Sequence, residues 1–220
     1  MNEDERFAQA FYEDLEGGRL GLFSLVARTV FDVSGYFYAG NLLRSAGLRP
    51  RDRVLEVGCG AASILIRAHG LRDSTRRYYG VDVCLTMLER ARENIKRRDL
   101  SGWVSIAAAP ASCLPFKDRS FDMVLLAYVI KHLSDETFAS SLGEAYRVLL
   151  PGGHLVMWEF LPSPIPWINN RLYSITKARR LRGYEEIVSF LAEASFTNPE
   201  RFSIFAPWLP TRTLAVVATK

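Results

Sequence analysis

The run Val54-Leu55-Glu56-Val57-Gly58-Cys59-Gly60-Ala61-Ala62 carries the strongest structural signal in this 220-residue chain. Its apolar half predicts a short buried strand, and its glycines predict a tight turn into a helix. Because glycine has no Cβ, a ligand can approach the backbone of such a turn, where the first N–H groups of the helix lack partners. Asp82 ends the next apolar run, and an acid there can accept the hydroxyls of a ribose. Together these features predict a nucleoside-binding edge at the carboxyl ends of two strands.

The residues around the glycine turn indicate which kind of nucleoside could bind there. A dinucleotide fingerprint, G-x-G-x-x-G, requires a third glycine where this chain has Ser63. Glu56 lies two residues before the first glycine, and its carboxylate would repel a pyrophosphate but suit an ammonium group. A plain tight turn without a ligand is the alternative reading of the glycine pair. The combination with Glu56 and Asp82 favours a nucleoside that carries an ammonium group and no phosphate.

Strand-like and helix-like segments alternate along the chain, which predicts an α/β fold with a parallel sheet covered on both faces. Apolar runs predict strands over 53–57, 78–82, 103–107, 121–127, 154–160, 202–205 and 213–219. Helical periodicity predicts helices over 61–69, 85–98, from 134 to the Pro-Gly-Gly stop at 151–153, and over 185–195. The same periodicity predicts one buried face made of Leu85, Leu88, Ala91 and Ile95.

Composition excludes several classes of protein. The 28 Lys and Arg against 24 Asp and Glu give a formal charge of +4, and 49% of the residues are hydrophobic, as in an ordinary globular domain. No apolar run approaches the roughly 18 residues of a membrane-spanning helix, and the acidic start 1–6 lacks the apolar core of an export signal. Cys59, Cys84 and Cys113 are spaced neither as metal ligands nor as a disulfide framework, and the last two are expected to be packing residues. We expect a cytoplasmic protein with no bound metal and no transmembrane segment.

Two regions depart from the alternation of strands and helices. The first 50 residues contain an aromatic group in which Tyr36 and Tyr38 are candidate substrate contacts, and so is Trp167 in the proline-interrupted segment 161–183. Between 171 and 182 there are five basic residues and no acid. This pattern fits contact with an anionic small molecule, a lipid surface or RNA, or simply a solvated helix face.

Four motifs, in this order, resemble those of the class I S-adenosylmethionine-dependent methyltransferases. Glu56–Gly60 matches the first motif and Gly80–Asp82 the second, Leu114–Asp122 is similar to the approach to strand four, and Arg147–Gly153 resembles the ending before strand five. S-adenosylmethionine carries an ammonium group and a ribose and has no phosphate. The resemblance implies a Rossmann-like three-layer sandwich, whose seven-stranded, mostly parallel sheet has an antiparallel last strand. It covers about residues 50–160 and continues more weakly to the end.

The resemblance also implies a domain plan and a set of cofactor-binding residues. The plan is one domain over 1–220, comprising an N-terminal helical cap (1–50), a cofactor-binding core (51–160), a lid insertion (161–183) and a C-terminal helix with strands (184–220). The implied cofactor-binding residues are Glu56, Gly58, Cys59, Gly60, Asp82, Val83, Ala111, Ser112, Ala127 and Tyr128. Among them Glu56 would lie near the ammonium, Asp82 would hold the ribose, Val83 would pack on the adenine, and Ala127 and Tyr128 would line the sulfonium end.

One position departs from the family pattern. The family usually has Gly-Asp-Ala where this chain has Ala109-Pro110-Ala111, and the Asp meets the adenine amino group. Proline offers neither a side-chain acceptor nor an N–H donor, which leaves the backbone of Ala111 or Ser112 to read the adenine. A methyltransferase-like binding or regulatory subunit without turnover is therefore an alternative.

The expected chemistry is methyl transfer to an oxygen, nitrogen or carbon atom of a small molecule, with S-adenosylhomocysteine as the product. In-line displacement depends mainly on orientation and desolvation, so no universal catalytic residue is expected. His132 and Tyr128, after strand four, are the candidate catalytic residues, with His132 as a base, a substrate contact or an ordinary helix-start residue. The chain has no Asn-Pro-Pro-Tyr, Asp-Pro-Pro-Tyr or Pro-Cys motif, which counts against methylation of a nucleic-acid base. An RNA methyltransferase that uses the basic segment is a further alternative, and peripheral lipid contact through 167–182 is another possible property.

Overall fold

The computed structural model describes residues 39–40, 43–72, 76–204 and 213–220, together with the single residues 6 and 10. The candidate substrate contacts Tyr36 and Tyr38 lie outside these ranges. The chain divides into two compact units, Met1–Pro110 and Ala111–Lys220. The prediction of a single domain with four segments stays a prediction.

From residue 51 onward, the described part of the first unit has three parallel strands and two helices. The strands are β1 (Val54–Val57), β2 (Tyr78–Asp82) and β3 (Val104–Ala108), and the helices are α1 (Ser63–Arg72) and α2 (Leu85–Arg97). The strands lie in the order β3-β2-β1. In this register Glu56 lies opposite Gly80, and Asp82 lies opposite Ala108. The glycine turn and the acid of β2 therefore follow neighbouring strands at the same edge.

Helix α2 packs on β2 and β3 and is tied to the glycine turn. Leu88, Ala91 and Ile95 are buried as predicted, but Leu85 is 53% exposed, because it is the first helical residue and this face is covered only from Leu88 onward. The buried Asn94 donates from Nδ2 to the carbonyl of Ala61 at 3.0 Å. This bond joins the middle of α2 to the turn that follows β1.

In the described residues of the second unit, 111–204 and 213–220, there are four strands, three α-helices and one 3-10 turn. The strands are β4 (Phe121–Ala127), β5 (Leu149–Phe160), β6 (Thr197–Ile204) and β7 (Thr213–Thr219). The helices are α3 (Asp135–Val148), α4 (Pro166–Thr176) and α5 (Tyr184–Glu193), and the 3-10 turn is Ile130–His132. The strand order is β4-β5-β7-β6, with β4 and β5 parallel and β7 antiparallel to both of its neighbours.

Strand β5 begins earlier than the sequence predicts. Helix α3 is capped as expected, since the Ser134 hydroxyl accepts the N–H of Thr137 at 3.2 Å. The predicted Pro-Gly-Gly break, however, lies inside β5. The Gly152 N–H donates to the Lys220 carbonyl at 3.1 Å, and the Lys220 N–H donates to the Gly153 carbonyl at 3.0 Å. This pairing with the chain beyond β7 gives the glycines the hydrogen bonds of a strand.

The predicted fold class is confirmed: the protein is α/β and Rossmann-like, and its seven-stranded, mostly parallel sheet has an antiparallel last strand. The cores of both units are built from apolar strand and helix residues that are almost fully buried, such as Val54 and Leu88 in the first and Phe138 and Leu155 in the second. No helix in the described ranges has the length and apolar character needed to cross a membrane.

Candidate functional site

The glycine turn after β1 is locked onto the end of β2. Gly58 and Gly60 have φ angles of +72° and +48°, which glycine adopts without the steric cost that a Cβ brings. The N–H groups of Gly58 and Cys59 both donate to the carbonyl of Val81, at 2.8 and 3.0 Å. The turn therefore has a fixed shape before any ligand binds.

The carboxylate of Asp82 is held by backbone donors from both sides. Its Oδ2 accepts the N–H of Gly60 at 2.8 Å, and its Oδ1 accepts the N–H of Cys84 at 2.9 Å. Burial raises the pKa of Asp82, although the backbone N–H groups of Cys84, Gly60 and Val83 oppose the rise. Since a carboxylate oxygen has more than one lone pair, both oxygens keep acceptor capacity for the hydroxyls of a ribose.

Glu56 presents a buried acid without a full set of partners. Only 2% of the residue is exposed, and Oε2 has no hydrogen-bond partner among the described residues. Burial raises the pKa of Glu56 well above its usual range; the backbone N–H of Leu65 opposes this rise and the charge of Asp82 adds to it. An unsatisfied buried polar group costs about 1–3 kcal/mol, which a cationic ligand group would offset. The residues present thus fit a ligand with an ammonium group.

Gly80, which belongs to the second motif, leaves the space that the side chain of Cys59 occupies. A Cβ on Gly80 would lie 2.8 Å from Sγ of Cys59 and 2.8 Å from Cδ1 of Leu65, which is too close for either. Cys59 fills this space, and its buried thiol has a pKa raised first by burial and then by the charges of Asp82 and Glu56. Cys59 is therefore a packing residue of the turn, and Gly80 makes room for it.

The third and fourth motifs are joined by one arginine of the second unit. Arg147 donates to the carbonyls of Leu114 at 3.0 Å and Phe116 at 2.7 Å, and it forms ion pairs with Asp118 at 2.8 Å and Glu144 at 2.7 Å. These bonds hold the loop before β4. The loop begins just after the candidate adenine-reading residues.

Those residues, Ala111 and Ser112, form a half-buried turn. Cys113, the next residue of this turn, is exposed, so the prediction that it is a packing residue is wrong.

Tyr128 follows β4 in a strained conformation. Its φ angle of +59° is left-handed, which costs a non-glycine residue about 1 kcal/mol or more. Its N–H donates to the Trp158 carbonyl at 2.7 Å, and its ring lies 5.0 Å from the ring of Trp158 and 4.9 Å from that of Phe160. Ala127, the last residue of β4, is half-buried beside Trp158. Strain of this kind is a common property of functional sites.

His132 is buried in the 3-10 turn after β4. Burial lowers the pKa of His132 well below its usual range, the charge of Lys131 lowers it further, and a bond to the Lys177 carbonyl opposes the change. The imidazole is therefore neutral at pH 7. Because a low pKa makes the imidazole a weak proton acceptor, a hydrogen-bonding role suits His132 better than the role of a strong base.

The basic segment is partly internal to the protein. Arg182 is buried and donates to the carbonyls of Ile130 at 2.7 Å and Leu133 at 2.8 Å, and to Asp135 at 2.7 Å. Arg180 also pairs with Asp135. The exposed basic side chains of the segment are Arg171, Lys177, Arg179 and Arg180.

The predicted site residues fall into both units. The first unit brings together Glu56, Gly58, Cys59, Gly60, Asp82 and Val83. The second unit holds Ala111, Ser112, Ala127, Tyr128, His132 and the 66%-exposed Trp167. Two charged residues, Lys131 and Glu159, were not predicted from the sequence to belong to the site. Each lies in an otherwise apolar segment, and this pattern indicates a buried charge. Within the described part of the chain, no three His, Cys, Asp or Glu side chains are placed to hold a metal ion.

Comparison with known proteins finds similarity to methyltransferases. A family model described as a methyltransferase domain matches residues 55–157. A ubiquinone/menaquinone biosynthesis C-methyltransferase UbiE from Geotalea daltonii is 31% identical over 111 residues, which are 50% of this chain and 46% of that protein. The match therefore spans about half the length of this curated relative.

Solved structures share the fold. The YcgJ protein of Bacillus subtilis superposes with a TM-score of 0.68 at 18% identity, over 83% of this chain and 97% of that one. A geranyl diphosphate C-methyltransferase from Streptomyces coelicolor A3(2), in complex with Mg²⁺, geranyl diphosphate and S-adenosyl-L-homocysteine, superposes with a TM-score of 0.70 at 13% identity. This second match covers 83% of this chain and 78% of that one.

Proposed function

We propose that this chain is a class I S-adenosylmethionine-dependent methyltransferase, because a family model described as a methyltransferase domain matches residues 55–157 and a UbiE C-methyltransferase is 31% identical over 111 residues. We propose that the protein transfers the methyl group of S-adenosylmethionine to an oxygen, nitrogen or carbon atom of a small molecule and releases S-adenosylhomocysteine. The observation that carries the proposal is the buried, incompletely partnered carboxylate of Glu56 beside the glycine turn and Asp82. The negative charge of this carboxylate attracts an ammonium group and repels a pyrophosphate.

The chain's own residues perform the binding part of this function. Glu56 neutralises the ammonium group, Asp82 accepts the ribose hydroxyls, the Gly58–Gly60 turn admits the methionine part, and Val83 packs on the adenine. In this proposal the backbone of Ala111 or Ser112 takes the place of the missing acid at Pro110. When bound, the cofactor supplies a methyl group on a sulfonium, which is a good leaving group.

The second unit supplies the residues that we propose act on the acceptor side. Ala127 and Tyr128 line the sulfonium end, and the neutral His132 orients the acceptor or receives its proton when the acceptor must lose one. Desolvation and alignment supply the acceleration of an in-line displacement. The acceptor is not a nucleic acid in this proposal, and neither alternative, an inactive subunit or an RNA methyltransferase, gains support from the comparisons. We also propose a cytoplasmic location, because Cys59, Cys84 and Cys113 are all free thiols.

Calorimetry with S-adenosylhomocysteine tests the proposal. The unmodified chain should bind this product, and the Asp82→Ala/Gly58→Val double variant should lose about 100-fold or more in affinity, since it loses the ribose acceptor and blocks the turn. Asp52→Asn is the matched control, because Asp52 lies before β1, away from the glycine turn, where it accepts the N–H of Arg49. Absence of binding by the unmodified chain overturns the proposal. A panel of small acceptors that includes geranyl diphosphate then tests turnover.

A second proposal concerns peripheral contact with a lipid surface through 167–182. It is supported by the exposed apolar side chains Ile165 and Trp167, which are 45% and 66% exposed, and by the exposed Arg171 one helical turn later. Tryptophan and arginine on one helix face suit an anionic bilayer surface. Co-sedimentation with phosphatidylglycerol-containing vesicles should weaken in Trp167→Ser and Arg171→Glu and stay unchanged in Trp103→Ser, the exposed tryptophan of the first unit. Equal binding by all four proteins contradicts this proposal.

A further inference from the structure

A buried ion pair in the second unit has no part in the function proposed so far. Lys131 and Glu159 are each 2% exposed, and Lys131 Nζ lies 3.5 Å from Oε1 of Glu159. Burying two charges is costly even when they pair, and an apolar pair of similar size is often as stable. Stability alone therefore does not explain the pair, and we look for another role.

Glu159 joins β5 to the turn that follows β4. Its Oε2 accepts the backbone N–H of Lys131 at 3.2 Å, and its Oε1 accepts the backbone N–H of Phe160 at 2.9 Å. Each oxygen therefore accepts a backbone N–H, and Oε1 also pairs with the ammonium. The carboxylate has one position, and the lysine backbone is tied to it.

Lys131 in turn holds the backbone of Tyr128. Its Nζ donates to the carbonyl of Tyr128, and the same atom lies 5.3 Å from the centre of the Tyr128 ring and 5.8 Å from that of Phe160. Its own carbonyl accepts the N–H groups of Arg179 and Arg180, at 2.7 and 3.1 Å. The ammonium is thus fixed by a carboxylate, a carbonyl and two aromatic faces, which is a satisfied arrangement for a buried lysine.

Tyr128 is consequently held on both sides of its strained backbone. Its N–H is bonded to the carbonyl of Trp158, and its carbonyl is bonded to Lys131. A left-handed tyrosine persists only where its surroundings impose that conformation. These contacts impose it here and set the direction in which the ring projects between Trp158 and Phe160.

We propose that Lys131, held by Glu159, is a positioning residue that sets Tyr128 for contact with the sulfonium of the methyl donor; this rests on the function proposed above. The negative charge of Glu159 has a second purpose in this arrangement. An unneutralised ammonium near a sulfonium would repel it, whereas the pair supplies a strong N–H donor to the Tyr128 carbonyl without net charge.

The test uses the charge-neutral double variant Lys131→Met/Glu159→Gln. Without the bond to its carbonyl, Tyr128 should shift, which changes the near-ultraviolet circular dichroism of the Tyr128 and Trp158 rings. The affinity for S-adenosylmethionine should fall about tenfold more than that for S-adenosylhomocysteine, because only the former has a sulfonium for the ring to contact. Calorimetry of the full chain with each compound measures the ratio.

Lys220→Met is the matched control. Lys220 also donates to a carbonyl, that of Leu149 at 2.7 Å, and lies 4.6 Å from the ring of Tyr146, so its loss removes the same kind of contacts elsewhere in the unit. It should leave the ratio of the two affinities unchanged. A second variant, Glu159→Gln alone, keeps Lys131 but leaves its charge unopposed. It should also weaken S-adenosylmethionine selectively, and it decides the question if the double variant does not fold.

The two proposals fail in different ways. If the unmodified chain binds neither compound, the proposed function is wrong, and the circular dichroism spectra alone decide whether Lys131 positions Tyr128. If both compounds bind, and the variants show the unmodified spectrum and the unmodified affinity ratio, the positioning role is overturned.

Discussion

The backbone N–H of Gly60 donates to Oδ2 of Asp82 at 2.8 Å, across 22 residues of sequence. The glycine turn and the acid of β2 are thus one hydrogen-bonded structure rather than two separate motifs. The second carboxylate oxygen is held by Cys84, so the acid cannot rotate away without breaking both bonds. A ligand that uses Asp82 meets an acceptor already in place, which reduces the ordering cost of binding.

Glu56→Gln should stabilise the ligand-free chain and weaken its cofactor binding. The substitution removes a buried carboxylate whose Oε2 has no partner in the described chain, so the free energy of unfolding should rise by about 1 kcal/mol. The affinity for S-adenosylhomocysteine should fall about tenfold or more, because the ammonium loses its counter-charge. Urea denaturation and calorimetry measure the two effects. Glu89→Gln, at an exposed position of α2, is the control and should change neither.

The stability of the ligand-free chain should depend on pH through the same residue. The pKa of Glu56 is higher in the folded chain than its ordinary value of 4.5. The folded chain then binds more protons than the unfolded chain between the two pKa values, so stability falls as the pH rises through this interval. The slope for one such group is at most about 1.4 kcal/mol per pH unit. Denaturation of the unmodified chain and Glu56→Gln from pH 4.5 to 8 should show the variant's advantage growing with pH, and an advantage that shrinks would contradict the assignment.

His132 should produce the opposite dependence. Burial keeps the pKa of His132 well below its ordinary value of 6.5, so the unfolded chain binds the extra proton first as the pH falls. Stability should therefore decrease as the pH drops below about 6.5, again by at most about 1.4 kcal/mol per unit. The ring protons of His132 in NMR spectra should keep the positions of a neutral imidazole at pH 6. His132→Asn should remove this part of the pH dependence, and an unchanged slope would argue that His132 titrates normally.

Gly80→Ala should destabilise the first unit. The new Cβ would lie 2.8 Å from both Cys59 Sγ and Leu65 Cδ1, and such overpacking costs about 1–3 kcal/mol. It should also displace the glycine turn and weaken binding of S-adenosylhomocysteine. Gly143→Ala is the matched control, since a Cβ at this exposed position of α3 meets nothing within 4 Å. There the gain in helix propensity should stabilise the chain by about 0.5–1 kcal/mol. Equal effects of the two substitutions in thermal denaturation would refute the steric argument.

Arg182→Met should be far more damaging than Arg171→Met, although both arginines belong to one basic segment. The buried guanidinium of Arg182 bonds two carbonyls and Asp135, and its loss leaves the two carbonyls without this donor at a cost of about 1–3 kcal/mol. The exposed Arg171 should change the free energy of unfolding by no more than about 0.5 kcal/mol. Urea denaturation distinguishes the two, and similar losses would show that the segment is not anchored through Arg182.

Local patterns predicted much of the architecture. Strands β2 and β4 have the predicted bounds, because each is an apolar run between clear turn or polar residues. The start of α3 was predicted from Ser134 and the acids that follow it, and its hydroxyl does cap the helix. The start of β5 was not predicted, because the hydrogen bonds that make Gly152 and Gly153 part of a strand come from Lys220 at the far end of the chain.

The sequence alone determined the α/β fold, the glycine turn and the acid that faces it, since these depend on residue preferences and spacings within a short stretch. The tertiary structure decided which charges are internal. It placed Lys131 against Glu159, 28 residues away, and Arg182 against Asp135, while Arg171 remained at the surface. The amino-acid composition does not distinguish the buried basic residues of the segment from the exposed ones. Only burial and a partner distant in sequence separate a cation that holds the fold from one that meets solvent, because the energy of a charge depends on its surroundings.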